Sequence, residues 1–307
     1  MSSAELSRQL KAVEQDGSGA DSVAFFDLDR TLIAGYSIVA VARERMKHGV
    51  TRGDLRESGA ILRDLLRHES QADSRIKGPN YQRLVQRMSR SLKGTSEATL
   101  RKLGSQAYHN YLAGKLYSEA ISLVEAHRRA GHRLVIVTAA SRYQVEPIAK
   151  VLGIDEISCT GLEVENGRFT GHTLAPLCYG DGKAMAARRV CKKHGAHLEK
   201  SYFYSDSIDD LPLLRAVGKP VAVNPSEKLA VHARAQGWPQ LRFASRGLPD
   251  LETVARTVLT AQTVAATAAF SMVGRRLGAG RLKTANRLTQ LIGEVGTGFA
   301  GLDFEVE

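Results

Sequence analysis

Cysteine and tryptophan are scarce in this chain of 307 residues, which contains three cysteines and one tryptophan. Cys159, Cys178 and Cys191 form no CxxC pair, and their odd number argues against a disulfide framework. This cysteine usage is typical of a reducing compartment, so a cytoplasmic location is expected. Aromatic residues do not alternate with basic ones as in proteins that stack nucleic-acid bases, and no nucleic-acid partner is expected.

Long apolar runs are also missing. Residues 1–21 lack the apolar segment of a secretory signal, so no such signal is predicted. Their polar composition predicts a short helix or a loose tail. The uncharged stretch "TVLTAQTVAATAAFSMVG" contains too many Thr, Gln and Ser residues for a good membrane span. We expect residues 251–307 to form a helical extension that packs or oligomerises, as in a homodimer, or lies on a membrane surface beside the basic run "RRLGAGRLKTANR".

Acidic residues are outnumbered by basic ones, which gives a net charge of +11 and a pI of about 9.7. Residues 35–117 hold most of this excess, with sixteen basic and seven acidic residues. The excess is explained either by solvated helix faces or by an anionic partner, such as a phosphorylated metabolite or an acidic lipid surface.

The order of the elements indicates an α/β fold. "SVAFFDL" predicts a buried strand, and residues 36–115 then read as amphipathic helices, with Ser96 capping one of them. From residue 116 onwards strands alternate with helices, which favours a Rossmann-like parallel sheet. We therefore predict a core of residues 22–35 and 116–250, interrupted by an inserted all-helical cap at 36–115. "EVENGRFTG" predicts a hairpin with its turn at Asn166-Gly167.

Polar residues follow the predicted strands where ligands bind in such sheets. They are Asp27 and Asp29 after the first strand, Thr138 and Ser141 after the second, and Asp206, Asp209 and Asp210 after a later one. Lys183 follows the glycine-rich turn "YGDGKA". Carboxylates that converge need a cation, and hard oxygen ligands suit Mg²⁺. Such a site suits phosphoryl transfer.

In this order, "DLDRT", "VTAAS", "GDGKA" and "YSDSIDD" resemble the four motifs of the haloacid dehalogenase superfamily. The insertion resembles its helical C1 cap. "LEVENGRFTG" and "VAVNP" resemble subfamily IB, the phosphoserine-phosphatase-like branch, and the terminal "GLDFEVE" is similar to the segment that precedes the acyltransferase domain in hydrolase–acyltransferase fusions. The resemblance covers about residues 22–250 and implies a Mg²⁺-dependent phosphatase.

The resemblance also implies a role for each motif residue. Asp27 would be the nucleophile, and Asp29 the general acid and base. The metal ligands would be Asp27, Asp29 through its main-chain carbonyl, Asp206 and Asp210. The groups that bind the phosphoryl oxygens would be Thr31, Thr138, Ala139 and Lys183. Each residue could instead have an ordinary structural role. Asp27 and Asp29 could be loop carboxylates, and Thr138 could simply end a strand. Lys183 could be solvated, Asp209 could be solvated or support the site indirectly, and Asp210 could cap a helix.

The chain departs from phosphoserine phosphatases after the first motif. Their acidic residue, which pairs with the substrate amine, is missing from "LIAGYS", and Arg30 replaces a small residue, so phosphoserine is disfavoured. Ser205 replaces a glycine before Asp206, a change that should not abolish the chemistry. Basic cap residues that could select the substrate are Arg43, Arg45, Arg75, Lys77, Arg83 and Arg87. Surface or core positions are expected for His48, His68 and His109.

Taken together, these features predict a Mg²⁺-dependent phosphomonoester hydrolase that acts through an aspartyl-phosphate on a small phosphorylated metabolite or a lipid phosphate. Two alternatives stay open. One is a phosphoserine phosphatase, and the other is a membrane-recruitment or scaffold module that keeps the fold without the activity.

Overall fold

The computed structural model describes residues 2–47, 79–154 and 156–244. In chain order the helices are α1 Ser2–Glu14, α2 Ser37–Lys47, α3 Pro79–Ser91, α4 Glu97–Ala107, α5 Ser118–Arg129, α6 Arg142–Leu152, α7 Asp181–His194, α8 Leu211–Leu214 and α9 Glu227–Ala235. The strands are β1 Val23–Phe26, β2 Arg133–Ser141, β3 Glu156–Thr160, β4 Leu162–Glu165, β5 Arg168–Thr173, β6 Tyr202–Ser205, β7 Lys219–Val223 and β8 Gln240–Leu241.

The main sheet has six strands in the order β3-β2-β1-β6-β7-β8, and every neighbouring pair is parallel. β1 lies at the centre, and each residue of its "VAFF" is buried. Its last residue, Phe26, pairs with Ile136 of β2 and Tyr204 of β6. The predicted α/β fold with a parallel sheet is confirmed, and the three central strands end at one edge.

Each face of the sheet has its own apolar layer, because side chains alternate along a strand. Ala24 and Phe26 point into a layer shared with α1, α5 and α6. Val23 and Phe25 point to the opposite layer, against α7, α8 and α9. An apolar run with no polar position, such as that of β1, is what a strand covered on both faces requires.

Several predicted boundaries are confirmed. Gly153 ends α6 in the left-handed conformation (φ 61°, ψ 36°), and the Ser96 side chain accepts a hydrogen bond from the Thr99 backbone at the start of α4. Asn166 and Gly167 both have positive φ in the hairpin turn between β4 and β5. For the N-terminal segment the sequence predicts either a short helix or a loose tail. Residues 2–14 form a helix, and its Val13 is fully buried.

The described part of the predicted cap, residues 36–47 and 79–115, is helical apart from turns and isolated bridges. The β4–β5 hairpin packs on it through main-chain hydrogen bonds. Gly94 N donates to Phe169 O at 2.8 Å, Phe169 N donates to Thr95 O at 3.0 Å, and Glu97 N donates to Gly167 O at 2.9 Å. The hairpin therefore connects the helical segment to the core chain.

Some predictions fall on residues outside the described ranges. These are the ones for His48, His68, Arg75, Lys77, the Arg83 side chain and the extension at 251–307. His109 is exposed, as expected of a surface histidine. Among the helices that the structure describes, none has the length and apolar composition needed to cross a bilayer.

A glycine sets the distance between α4 and α6. A Cβ atom on Gly104 of α4 would lie 1.9 Å from the main-chain oxygen of Tyr143 in α6, whereas one on Gly114 would meet nothing within 4 Å. We expect Gly104→Ala to force α4 away from α6 and lower the free energy of unfolding by about 1–3 kcal/mol. Urea unfolding measures this, with Gly114→Ala as the control; equal stability of the two variants would contradict the packing.

A buried polar network joins α1 and α5 to the start of the sheet. His127 Nδ1 lies 2.7 Å from His132 Nδ1, and His127 Nε2 lies 2.7 Å from the Tyr204 hydroxyl, which also accepts a hydrogen bond from Gln9 Nε2 at 3.1 Å. Burial, followed by the neighbouring His132, lowers the pKa of His127 well below its ordinary 6.5. Folding thus requires a neutral His127.

This network predicts a loss of stability in weak acid. Below pH 6.5 His127 binds a proton in the unfolded chain but stays neutral in the folded protein. As the pH falls, this histidine therefore lowers the free energy of unfolding by up to about 1.4 kcal/mol per pH unit. The pKa of Asp16 is itself lowered, so this nearby carboxyl loses its contribution only below its ordinary 3.8. Burial raises the pKa of Asp27, Asp29 and Asp206, so these groups bind protons on folding in the same range and oppose the effect of His127. Urea midpoints between pH 7.5 and 5 therefore test it as a difference: as the pH falls, His127→Gln should become more stable relative to the wild type, whereas the exposed control His172→Gln should follow the wild type. Identical pH profiles of His127→Gln and the wild type would refute it.

Candidate active site

The edge where β1, β2 and β6 end carries a lysine between two carboxylates. Lys183 Nζ lies 2.6 Å from Asp27 Oδ1 and 2.8 Å from Asp210 Oδ2. Lys183 reaches them from the first turn of α7, and all three side chains are buried. Asp27 follows β1 directly, and its backbone N donates to Tyr204 O of β6 at 2.9 Å. The fold therefore brings Lys183 into contact with Asp27, which lies 156 positions earlier in the sequence, and with Asp210, which lies 27 positions later.

Asp206 follows β6 at the same edge and is buried. Its Oδ2 lies 3.4 Å from Nη1 of Arg30, and its side chain is 10% exposed compared with 42% for Arg30. Arg30 is thus the more exposed partner of this ion pair. Its backbone has φ 61°, a left-handed conformation that few residues other than glycine adopt.

Asp29 lies on the loop after β1 and faces the start of α2. Its Oδ1 accepts a hydrogen bond from the Ser37 backbone N at 2.6 Å. The Ser37 hydroxyl in turn accepts from Gln144 Nε2 of α6 at 3.2 Å. The Asp29 carboxylate is therefore held where the chain enters the helical segment.

The remaining predicted phosphoryl-binding residues lie on or next to these strand ends. Thr138 is buried near the end of β2, and its Oγ1 accepts from the Ala140 backbone N at 3.2 Å. Ala139 is half-buried beside it. The Thr31 hydroxyl is buried and has no hydrogen-bond partner among the described residues. Asp209 is half-buried, and its backbone N donates to the Ser207 hydroxyl.

Burial governs the electrostatics of the site. It raises the pKa of Asp27, against the ammonium of Lys183, and it raises the pKa of Asp206 to about 8, against Arg30. It also raises the pKa of Asp29 to about 6, against the hydrogen bonds from Ser37. Burial alone would lower the pKa of Lys183, but the carboxylates of Asp210 and Asp27 outweigh burial and raise this pKa, so the ammonium stays charged.

The donor set fits Mg²⁺ in chemistry and in charge. Among the described residues, four carboxylates, those of Asp27, Asp29, Asp206 and Asp210, gather around two cations, Lys183 and Arg30. A divalent cation would balance that excess, and carboxylate oxygens are its preferred ligands. Within the described ranges, no three His, Cys, Asp or Glu side chains already stand in positions that would hold a metal together. Lys183 occupies the space between two of the carboxylates, which accounts for this.

Three contacts were not predicted from the sequence. The Ser205 hydroxyl donates to Asp210 Oδ2 at 2.6 Å, so the serine that replaces a glycine orients a carboxylate. Asp210 is the N-cap residue of α8, the position that the alternative predicted, but its side chain makes no capping hydrogen bond there. The Ser37 contact with Asp29 and the hydrogen bond from Asn224 Nδ2 to Arg30 O, at 3.2 Å, join distant segments.

Comparison with known proteins agrees with this geometry. A family model described as haloacid dehalogenase-like hydrolase matches residues 24–215. A probable phosphatase of Mycobacterium tuberculosis is 37% identical over 227 residues, which cover 73% of this chain and 76% of the relative. A phosphoserine phosphatase of the same organism is 32% identical over 222 residues, which cover 71% of this chain and 69% of the relative.

Solved structures share the fold. A protein of unknown function from Bordetella pertussis Tohama I superposes with a TM-score of 0.63 at 29% identity, over 72% of this chain and 98% of that one. A substrate-bound phosphoserine phosphatase superposes with a TM-score of 0.53 at 18% identity, over 74% of this chain and 94% of the other. At that identity the second match shows the fold alone.

The charge balance predicts opposite effects of two substitutions on stability without added metal. Lys183→Met leaves two buried carboxylates unpaired and should lower the free energy of unfolding by about 3–5 kcal/mol. At a pH above about 8, where the Asp206 carboxyl is ionised in the folded protein, Asp206→Asn removes one like charge and should raise it. The exposed Lys193 pairs with Glu156, and Lys193→Met should cost less than about 1 kcal/mol.

Urea unfolding in the presence of a chelator measures all three variants against the wild type. A Lys183→Met protein as stable as Lys193→Met would show that Asp27 and Asp210 do not depend on the ammonium.

Proposed function

The chain belongs to the haloacid dehalogenase-like hydrolases and is a phosphatase of their phosphoserine-phosphatase-like branch, and we propose that it is a Mg²⁺-dependent phosphomonoesterase that forms an aspartyl-phosphate on Asp27. The observation that carries the proposal is the Lys183 ammonium held between buried Asp27 and Asp210 where β1 and β6 end. Lys183 fixes one oxygen of the carboxylate next to where a phosphoryl group would bind.

Two displacements at phosphorus complete the proposed reaction. An Asp27 oxygen attacks phosphorus, the bond to the leaving oxygen breaks, and Asp29 gives that oxygen a proton. Water then attacks the aspartyl-phosphate, Asp29 takes up its proton, and inorganic phosphate leaves as the Asp27 carboxylate is restored. The position of Asp29, two residues from Asp27 and held by Ser37, supports its role at the leaving group.

The other polar groups would bind rather than react. Thr31, Thr138 and Ala139, with Lys183, would hold the phosphoryl oxygens. The carboxylates of Asp27, Asp206 and Asp210, with the main-chain carbonyl of Asp29, would hold Mg²⁺, whose charge offsets that of the transferred group.

The proposed substrate is a small phosphorylated metabolite or a lipid phosphate. Phosphoserine remains the alternative because one relative is a phosphoserine phosphatase. The lack of an acid in "LIAGYS" and the Arg30 guanidinium beside Asp206 disfavour a substrate amine. The proposed membrane contact and the scaffold alternative depend on residues 251–307, which lie outside the described ranges.

Hydrolysis of 4-nitrophenyl phosphate with Mg²⁺ or with a chelator tests the reaction. Asp27→Asn should lower kcat by roughly a thousandfold or more, because the nucleophile is lost. Asp181→Asn makes the same change at an exposed position in α7 and should keep full activity. A wild type that hydrolyses none of a panel of phosphomonoesters, phosphoserine and lysophosphatidic acid included, would refute the phosphatase. An active Asp27→Asn would refute the nucleophile.

A further inference from the structure

We propose that Arg30, together with Lys115, forms an anion-binding subsite for the leaving group. The preferred substrates would then be phosphomonoesters whose leaving group carries a second negative charge. This inference rests on the proposed phosphatase activity and narrows its substrate class.

Arg30 is placed to meet the part of a substrate that lies outside the buried carboxylates. Its side chain is 42% exposed, and its Nη1 lies 3.4 Å from Asp206 Oδ2. The guanidinium also interacts with the Tyr36 hydroxyl. A guanidinium has five N–H donors, so donors remain for a carboxylate or phosphate. Arginine is suited to such anions because its fork of donors matches their oxygens.

The backbone holds Arg30 in place from both sides, at the cost of strain. A left-handed conformation costs a residue other than glycine about 1–2 kcal/mol. Arg30 N donates to Gly35 O at 3.1 Å, and Arg30 O accepts from Asn224 Nδ2 at 3.2 Å. Asn224 has φ 44° itself, and its Oδ1 accepts from the Phe243 backbone N at 2.8 Å. Strain maintained by this many bonds is a feature of functional positions.

Lys115 brings a second positive charge to the same turn. Its Nζ would lie 3.8 Å from a Cβ atom built on Gly35, the residue whose carbonyl accepts from Arg30 N. The Lys115 carbonyl accepts from Ala34 N at 2.8 Å, which fixes its backbone beside the turn. The two cations therefore flank the place where the chain enters and leaves the helical segment.

Asp206 contacts Arg30 itself but is only 10% exposed, compared with 42% for Arg30, and two other acidic side chains near this turn are bound elsewhere. Asp29 accepts from Ser37 N, and Glu44 is buried and accepts from Asn110 Nδ2 at 2.9 Å. The turn consequently presents positive charge outward, which would favour an anionic leaving group and repel an amine.

Two of the cap arginines predicted from sequence make other contacts. Arg45 donates to Ser91, to its hydroxyl at 3.1 Å and its carbonyl at 2.9 Å. Arg43 lies over the Tyr111 ring, 6.0 Å from its centre, together with Lys47 at 4.9 Å. Among the described residues, substrate selection is thus assigned to Arg30 on the loop after β1 and to Lys115.

Three aryl phosphates with the same ring and a remote substituent of different charge provide the test. They are 4-(carboxymethyl)phenyl, 4-methylphenyl and 4-(aminomethyl)phenyl phosphate. The wild type should show kcat/KM about tenfold higher for the first than for the second, mainly through KM, and lowest for the third; tenfold corresponds to about 1.4 kcal/mol.

Arg30→Asn removes the charge and keeps a residue that tolerates a left-handed backbone. The ratio of kcat/KM between the anionic and neutral esters should fall below about threefold in this variant. Arg30→Lys should retain part of the ratio, and Lys115→Met should lose part of it. Because a ratio is compared, a general effect on the chemical step cancels. An unchanged ratio in Arg30→Asn, or an equal loss on all three esters, would overturn the subsite.

Binding of phosphonates separates the subsite from the activity. Calorimetry would compare 4-(carboxymethyl)benzyl phosphonate with 4-methylbenzyl phosphonate, neither of which can be hydrolysed. About tenfold tighter binding of the first, lost in Arg30→Asn, supports the subsite even if no ester turns over. Equal binding of the two by the wild type overturns it. Equal hydrolysis of the three esters would also overturn it, while the phosphatase activity would stand.

Discussion

The ion pairs of Lys183 with Asp27 and Asp210 are the interaction on which the site depends. Two buried carboxylates at the ends of neighbouring strands would repel one another, and burial would drive each towards its neutral form. An ammonium 2.6 Å from one and 2.8 Å from the other opposes both effects. It can do so because the glycine-rich turn starts α7 directly below the sheet edge, where a Cβ on Gly182 would lie 1.8 Å from Leu177 O.

The convergence of the carboxylates could be predicted from the topology of a parallel sheet, without knowledge of side-chain contacts. Parallel strands present their carboxyl ends at one edge, so polar residues after β1, β2 and β6 had to meet. The order β2-β1-β6 then placed Asp27 and Asp206 on adjacent strands. Apolar runs as continuous as "VAFF" made the strands themselves readable.

The contacts that orient those carboxylates were not predictable, because each joins residues whose local sequence is ordinary. Ser205 and Ser37 are single hydroxyl residues like many others, and only the fold shows that they bind Asp210 and Asp29. β8 has two residues and no pattern to detect. The pairing of His127 with His132 depends on the end of α5 turning directly into β2, which a helix signal alone does not reveal.

The docking of the β4–β5 hairpin on the helical segment bears on how that segment could move. A domain joined to another by two chain crossings can rotate about the line between them. Here the main-chain bonds between Gly94–Glu97 and Gly167–Phe169 add a third attachment, formed by a strand pair that is itself separate from the main sheet. Either these bonds break during a rotation or residues 162–173 travel with the helices, so the moving body would include a piece of chain that follows β3 in sequence.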